Sequence, residues 1–259
     1  LRAGGLKMPV MDEFREEREA IKQKSFKEKI KYFCDYYKWH VIGGVILTAF
    51  AISLVHSVLT HKDWAFYGAF INAYQAPAYD TFRENFAAQA DIDLKEFDVL
   101  FDTSMYYTDN SHDQGTLDTL ERLTVYIAAG DVNVMAGGPS VMNQYAYNGF
   151  FQDLRQILPQ DLQEQLEPYY YYADAALADE IDAQQESGLM TSAPRYPSDP
   201  TNAEGMAEPV PVGLYIQDCP RIQEAFVFQD SEVILGVIGN MPEVDSVIQF
   251  LRFIYNIEE

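Results

Sequence analysis

Hydrophobic and polar positions divide this chain into three stretches with different rhythms. Residues 41–59, VIGGVILTAFAISLVHSVL, form an apolar run of nineteen with no formally charged side chain. At 1.5 Å rise per residue such a helix reaches about 28 Å, close to the hydrocarbon thickness of a bilayer. Before it, residues 11–38 mix charges with Phe14, Ile21, Ile30 and Phe33, a partly amphipathic helical pattern running into the span. Met8 is a candidate start after a patternless 1–7.

After the span the rhythm alternates between strand-like and helix-like segments. Residues 65–73 (AFYGAFINA), 97–103 (FDVLFDT) and 132–136 (VNVMA) read as strands. Between them, Tyr79, Phe82 and Phe86 recur at helical spacing, as do Leu117, Leu120, Thr124 and Ile127, with Ser111 as a capping candidate and Gly130 as a stop. Gly137-Gly138-Pro139 breaks the third strand, and short helices follow over 140–147, 152–158 and 161–166. The four tyrosines 169–172 read as a half-core, half-surface strand. A helical turn near 175–185 and a surface loop around Pro194, Pro197 and Pro200 lead to strands at 210–216 and 233–238. An amphipathic helix over 242–255 has proline in its first turn and Val244, Val247, Ile248, Leu251 and Ile254 on one face. Strand–helix–strand order with short connections predicts an α/β domain: a mostly parallel sheet with helices on both faces. The organisation is thus a basic helical segment (1–40), a transmembrane helix (41–60) and an α/β domain (61–259).

Charge orients this arrangement. Six lysines fall in the twenty residues before Val41 and one, Lys62, in the twenty after Leu59, so the N-terminal side is expected in the cytoplasm and the domain outside. Trp39 and Trp64, the only tryptophans, flank the span where headgroup-level rings are favoured. A cleaved signal peptide fits poorly: the apolar run exceeds the usual core and no A-x-A site follows. Residues 1–40 carry ten Lys and Arg against seven Asp and Glu; the remainder carries eight against thirty-three. So acidic a domain repels nucleic acid and anionic headgroups and is compatible with cationic partners.

Catalytic patterns are absent from the sequence. Neither G-x-S-x-G, H-E-x-x-H nor a Walker-type loop occurs, and nothing points to a cofactor or a metal. The 109–115 stretch DNSHDQG resembles a calcium loop, but its glycine falls at position seven and position twelve is Leu120. Cys34 and Cys219 lie on opposite sides of the span and cannot pair within one chain; Cys219 reads as a small apolar filler.

Residues 116–158 resemble the first lobe of extracellular solute-binding proteins of ABC importers, the type II periplasmic-binding-protein fold. The likeness rests on Gly130, the strand Val132–Met135, the Gly137–Ser140 loop, Tyr145–Tyr147 and the run Gly149-Phe150-Phe151-Gln152-Asp153-Leu154. Residues 233–254 resemble that family's late strand and closing helix. The domain resembles one lobe of that family, and residues 159–232 leave room for a reduced second lobe or a cap; ligands of open α/β sheets settle beyond the C-terminal ends of the parallel strands. That rule selects Asn72, Tyr74, Thr103, Ser104, Gly137, Gly138 and Ser140, with Tyr145 reaching in from the following helix. The helix start at Ser140 offers backbone N–H groups to an anionic or carbonyl group. The expected function is a membrane-tethered, non-catalytic extracellular binding domain for a small solute or peptide. The alternative is an adaptor or assembly subunit that engages a membrane protein partner.

Overall fold

A computed structural model describes residues 25–60, 62–110, 112–187, 195–240 and 244–258. The expectations placed on Met8, residues 11–24, Ser111, Pro194 and Pro242 lie outside these residues. The chain divides into two compact units, Leu1–His61 and Lys62–Glu259.

In the first unit, helix α1 (Phe26–Thr60) continues through the apolar run. Its stretch Lys38–His56 is long and apolar enough to cross a membrane, and none of that window is buried against protein. Val45, Leu47, Phe50 and Ile52 all face outward. Within the run, Thr48 Oγ1 donates to Gly44 O at 2.8 Å, so this hydroxyl carries its own acceptor.

The second unit is an α/β domain on a mixed sheet. In chain order its elements are β1 (Trp64–Phe70), β2 (Ala73–Gln75), α2 (Tyr79–Gln89), β3 (Asp98–Asp102), α3 (Gln114–Ala129), β4 (Val134–Gly137) and α4 (Pro139–Tyr147). Then come α5 (Leu154–Ile157), α6 (Gln160–Leu166), a 3-10 turn (Glu167–Tyr169), β5 (Tyr170–Asp174), α7 (Ala175–Ser187) and β6 (Pro209–Tyr215). Finally, α8 (Pro220–Ala225), β7 (Phe226–Phe228), β8 (Ile234–Val237) and α9 (Asp245–Tyr255) close the domain.

The six-stranded sheet has the order β3-β1-β4-β8-β6-β5, and β2 pairs with β7 in a separate two-stranded ribbon. The parallel part is confined to β3, β1 and β4; β8, β6 and β5 are joined by antiparallel pairings. The sheet is therefore mixed, where the strand–helix alternation predicted mostly parallel. The late strand β8 enters beside β4 rather than at an edge.

Strand alternation builds two apolar layers, one on each face. Along β1, Phe66 and Phe70 enter one layer, whereas Tyr67, Ala69 and Ile71 enter the other. The first layer meets Phe82 and Phe86 of α2, Ile222 of α8 and Phe250 of α9; the second meets Leu123 of α3, Met142 of α4 and Ile181 of α7. Phe66 lies 4.9 Å from Phe250 and 5.6 Å from Phe101, in tilted contacts typical of aromatic cores. Because both faces are covered, β5 is not half-surface: Tyr170 sits in one layer and Tyr171 in the other, both buried.

One local expectation changes. The inner face of α3 is Thr116, Thr119, Leu123 and Ile127, while Leu117 is 45% exposed. The rotation follows from two threonine hydroxyls, which accept the backbone N–H groups of Thr108 and Tyr106, each at 3.0 Å. Hydrogen bonding lets these polar side chains go inside. Asp113 caps this helix, accepting from Thr116 N at 2.8 Å, and Gly130 ends it in the left-handed region at φ 79°. Trp64, expected at a membrane interface, starts β1 and packs on Tyr67 at 4.7 Å and Tyr126 at 6.0 Å.

Candidate functional site

A cleft of about 230 Å³ opens where β1 and β4 end, lined by Asn72, Tyr107, Thr108, Asp109, Gly138, Ser140, Val141 and Asp230. Three of the sequence-selected residues, Asn72, Gly138 and Ser140, meet here. They reach it from different segments: Asn72 follows β1, and Gly138 and Ser140 span the turn from β4 into α4.

Asn72 holds the walls together. It adopts φ 54°, a left-handed conformation that asparagine tolerates better than other non-glycine residues. Its side chain grips the Tyr107 backbone from both sides, with Nδ2 donating to Tyr107 O and Oδ1 accepting from Tyr107 N, each at 2.9 Å. Its own backbone donates to Met105 O at 3.0 Å and accepts from Gln229 N at 2.9 Å. One residue thus ties the loop after β3 and the segment after β7 to the sheet. Its carbonyl and amide are spent on structure, so its role in the cleft is positioning.

Gly138 is the N-cap of α4, at φ −70° and ψ 164°. This is ordinary extended backbone, so glycine is required by space and not by φ. A Cβ there would lie 2.3 Å from the Asp230 carboxyl carbon. The seat expected for an external anion at this helix start is therefore taken by the chain's own carboxylate, which the helix N-terminus favours by about 0.3–1 kcal/mol. Asp230 Oδ2 is nevertheless buried with no hydrogen-bond partner. On the other wall Ser140 Oγ donates to Asp109 Oδ1, and Thr108 Oγ1 shares a contact with Thr116 Oγ1 at 3.3 Å. Tyr107 OH donates to Gln144 Oε1 at 3.3 Å.

The other selected residues are not among those lining the cleft. Gly137 is buried, and a Cβ there would come within 3.0 Å of Val141 Cγ1. Tyr145 is a core residue: its ring lies 5.1 Å from Phe150, and burial pushes its hydroxyl pKa up to about 12. Tyr74 stands on the β2–β7 ribbon, 59% exposed, and accepts from Gln229 Nε2 at 2.9 Å. Thr103 and Ser104 follow β3 beside an ion-pair cluster, in which Arg122 reaches Asp102 at 2.9 Å and Ser104 Oγ at 3.1 Å. Tyr67 OH also donates to Asp102, at 2.7 Å. Burial tends to raise the Asp102 pKa, but hydrogen bonds from Ser104 and Tyr67 and the Arg122 charge bring it below the ordinary carboxylate value.

Tyr107, Thr108, Asp109 and Asp230 were missed by sequence reasoning. The first three belong to the long segment after β3, whose only signal was the failed calcium-loop pattern starting at Asp109. Asp230 lies far along the chain, and no local pattern connects it to Gly138.

No metal cluster of three or more His, Cys, Asp or Glu occurs among the described residues. Cys219 is buried, and burial pushes its thiol up to about 12, so it stays protonated at neutral pH. No family model, curated protein or solved structure matches this chain.

Proposed function

We propose that the chain is a membrane-tethered, non-catalytic binding domain whose ligand seat is the cleft beyond β1 and β4. The observation that carries the reading is the convergence of Asn72, Gly138 and Ser140 on one cleft at the C-terminal ends of adjacent parallel strands, where open α/β sheets take ligands. Its size suits a small solute or one peptide side chain more than an extended polymer. The resemblance to solute-binding proteins agrees with a late strand, β8, that returns to the sheet next to β4 and leads into the closing helix α9. On this reading α1 anchors the domain in the bilayer, the N-terminus is cytoplasmic and the domain faces outside, as the lysine asymmetry implies.

A second reading, as an adaptor for a membrane protein partner, draws on the β2–β7 ribbon. Tyr74 and Val227 pair across it and are 59% and 56% exposed, an apolar pair free to meet another surface.

Thermal-shift screening of small solutes against the full-length chain in detergent micelles distinguishes the two. Stabilisation by a solute, lost in Gly138→Val and kept in Tyr74→Ala, supports the cleft. Co-purification of a membrane protein that Tyr74→Ala releases and Gly138→Val retains supports the ribbon instead.

A further inference from the structure

We infer that the groove between α2, α8 and α9 is a second binding site, which takes a small organic carboxylate on the Arg221 guanidinium. Two cavities of about 430 and 240 Å³ lie along this groove, and Gln89 and Arg221 line both. Arg221 stands where they meet, half-buried, and its neighbours fix its posture. The guanidinium carbon lies 4.3 Å from the centre of the Phe253 ring, and Nη2 donates to Asn256 Oδ1 at 2.9 Å. Asn256 is itself held at φ 56° as the cap of α9, its N–H bonded to the Arg252 and Phe253 carbonyls.

A ring face and a neutral amide orient the fork without neutralising it. Arg83, Arg122, Arg155 and Arg252 each hold a carboxylate, whereas Arg221 makes no ion pair among the described residues. Arg252 also lines the larger cavity, but it is buried and matched by Asp161 at 2.7 Å. Arg221 is thus the cation there that still lacks a counter-charge. A planar guanidinium with one nitrogen engaged keeps an edge for two parallel N–H···O bonds, the geometry a carboxylate presents.

The rest of the groove suits an organic body more than a bare inorganic ion. Thr81, Asn85 and Gln89 stand about one turn apart along the α2 wall, exposed, and bring a hydroxyl and two amides to it. Phe82, Ala225 and Phe253 give the smaller cavity an apolar lining, so polar and apolar contacts alternate along the path as in small-molecule sites. A ligand cation would meet the guanidinium as a like charge. The acidic surplus of the domain, thirty-three against eight after residue 40, opposes the approach of any anion, so binding here depends on Arg221 itself.

The test is a titration of the full-length chain in non-ionic detergent micelles with glutarate, phosphate, 1,5-pentanediol and 1,5-diaminopentane at matched ionic strength, read by calorimetry and thermal shift. The expected result is saturable binding of glutarate, weaker binding of phosphate, and no response to the diol or the diamine. Arg221→Gln should lower the glutarate affinity about tenfold or more. Arg221→Lys keeps the charge but not the fork, so it should lose most of the same affinity; it also supplies the comparison should the glutamine variant not fold. Arg195→Gln, an exposed arginine outside both cavities, should bind glutarate as wild type does, and so should Gly138→Val. No glutarate binding, or wild-type affinity in either Arg221 variant, overturns the inference. Tighter binding of phosphate, or of the diamine, overturns the ligand class. Glutarate binding that Gly138→Val abolishes and Arg221→Gln retains would move the carboxylate to the cleft beyond β1 and β4.

Discussion

Replacing Asn72 tests how the cleft is held open, because this residue combines an unusual backbone conformation with a two-sided side-chain grip. Asn72→Ala removes two hydrogen bonds to the Tyr107 backbone, both at 2.9 Å, each contributing about 1 kcal/mol. It also places alanine at φ 54°, where a left-handed conformation adds about 1 kcal/mol or more. The expected loss is about 3 kcal/mol, or about 6–12 °C in melting temperature for a domain of this size. Asn72→Gly removes the same hydrogen bonds but accepts the backbone, so it should be better than alanine by about 0.5 kcal/mol after its greater unfolded-state entropy. The assay is urea unfolding followed by near-ultraviolet circular dichroism, which reads the packing of the buried aromatic layers. Equal stability of the alanine and glycine variants would refute the conformational part. A neutral alanine variant would refute the grip itself, and with it the positioning role.

Other outcomes follow from the same structure. A chain beginning at Lys62 should be soluble and melt cooperatively, with no change on adding reductant, since Cys219 is buried; a reductant-dependent melt would mean an intermolecular bridge. Asp102 has a folded pKa below its ordinary 3.8, so its contribution to stability is present above that value and fades as pH falls below it. Asp102→Asn should flatten that acid limb in a pH series of unfolding midpoints, and an unchanged limb would count against the Tyr67–Asp102–Arg122 cluster. Tyr145, Tyr170 and Tyr215 are pushed up to about 12 from 10 by burial, so stability should decline as pH rises above 10; Tyr215→Phe should soften the decline. Protease added to intact cells should digest the chain after Lys62 and spare an epitope before Lys38; a protected C-terminal domain would reverse the orientation.

Periodicity made most elements legible, for physical reasons that can be traced residue by residue. The Phe82–Phe86 spacing of α2 and the Val247–Leu251–Ile254 face of α9 are strong signals because burial acts on whole faces, and the apolar run of α1 is legible from its length and lack of charge. Strand direction was less accessible: VPVGLYI and VILGVI look alike whether paired parallel or antiparallel, so the mixed half of the sheet had no signature. The α3 face was misplaced because Thr116 and Thr119 are buried through hydrogen bonds to the backbone of the loop just before the helix, at Thr108 and Tyr106, which hydrophobic spacing does not register. The site was legible only where a strand-end rule applied, at Asn72, Gly138 and Ser140. Tyr145 lies in the core and does not line the cleft, since a helix carries residues both toward a cleft and away from it and spacing alone does not say which. Asp230 depends on a contact across almost a hundred residues, which only the folded chain displays.

Native mass spectrometry of the purified full-length chain tests the ligand seat most directly. The expected spectrum shows a small-molecule adduct on wild type and on a variant of the exposed, off-cleft Tyr74, Tyr74→Ala, and none on a Gly138→Val variant that still melts cooperatively. An adduct that survives Gly138→Val but disappears from Tyr74→Ala would contradict the assignment of the cleft beyond β1 and β4 as the place where this domain binds.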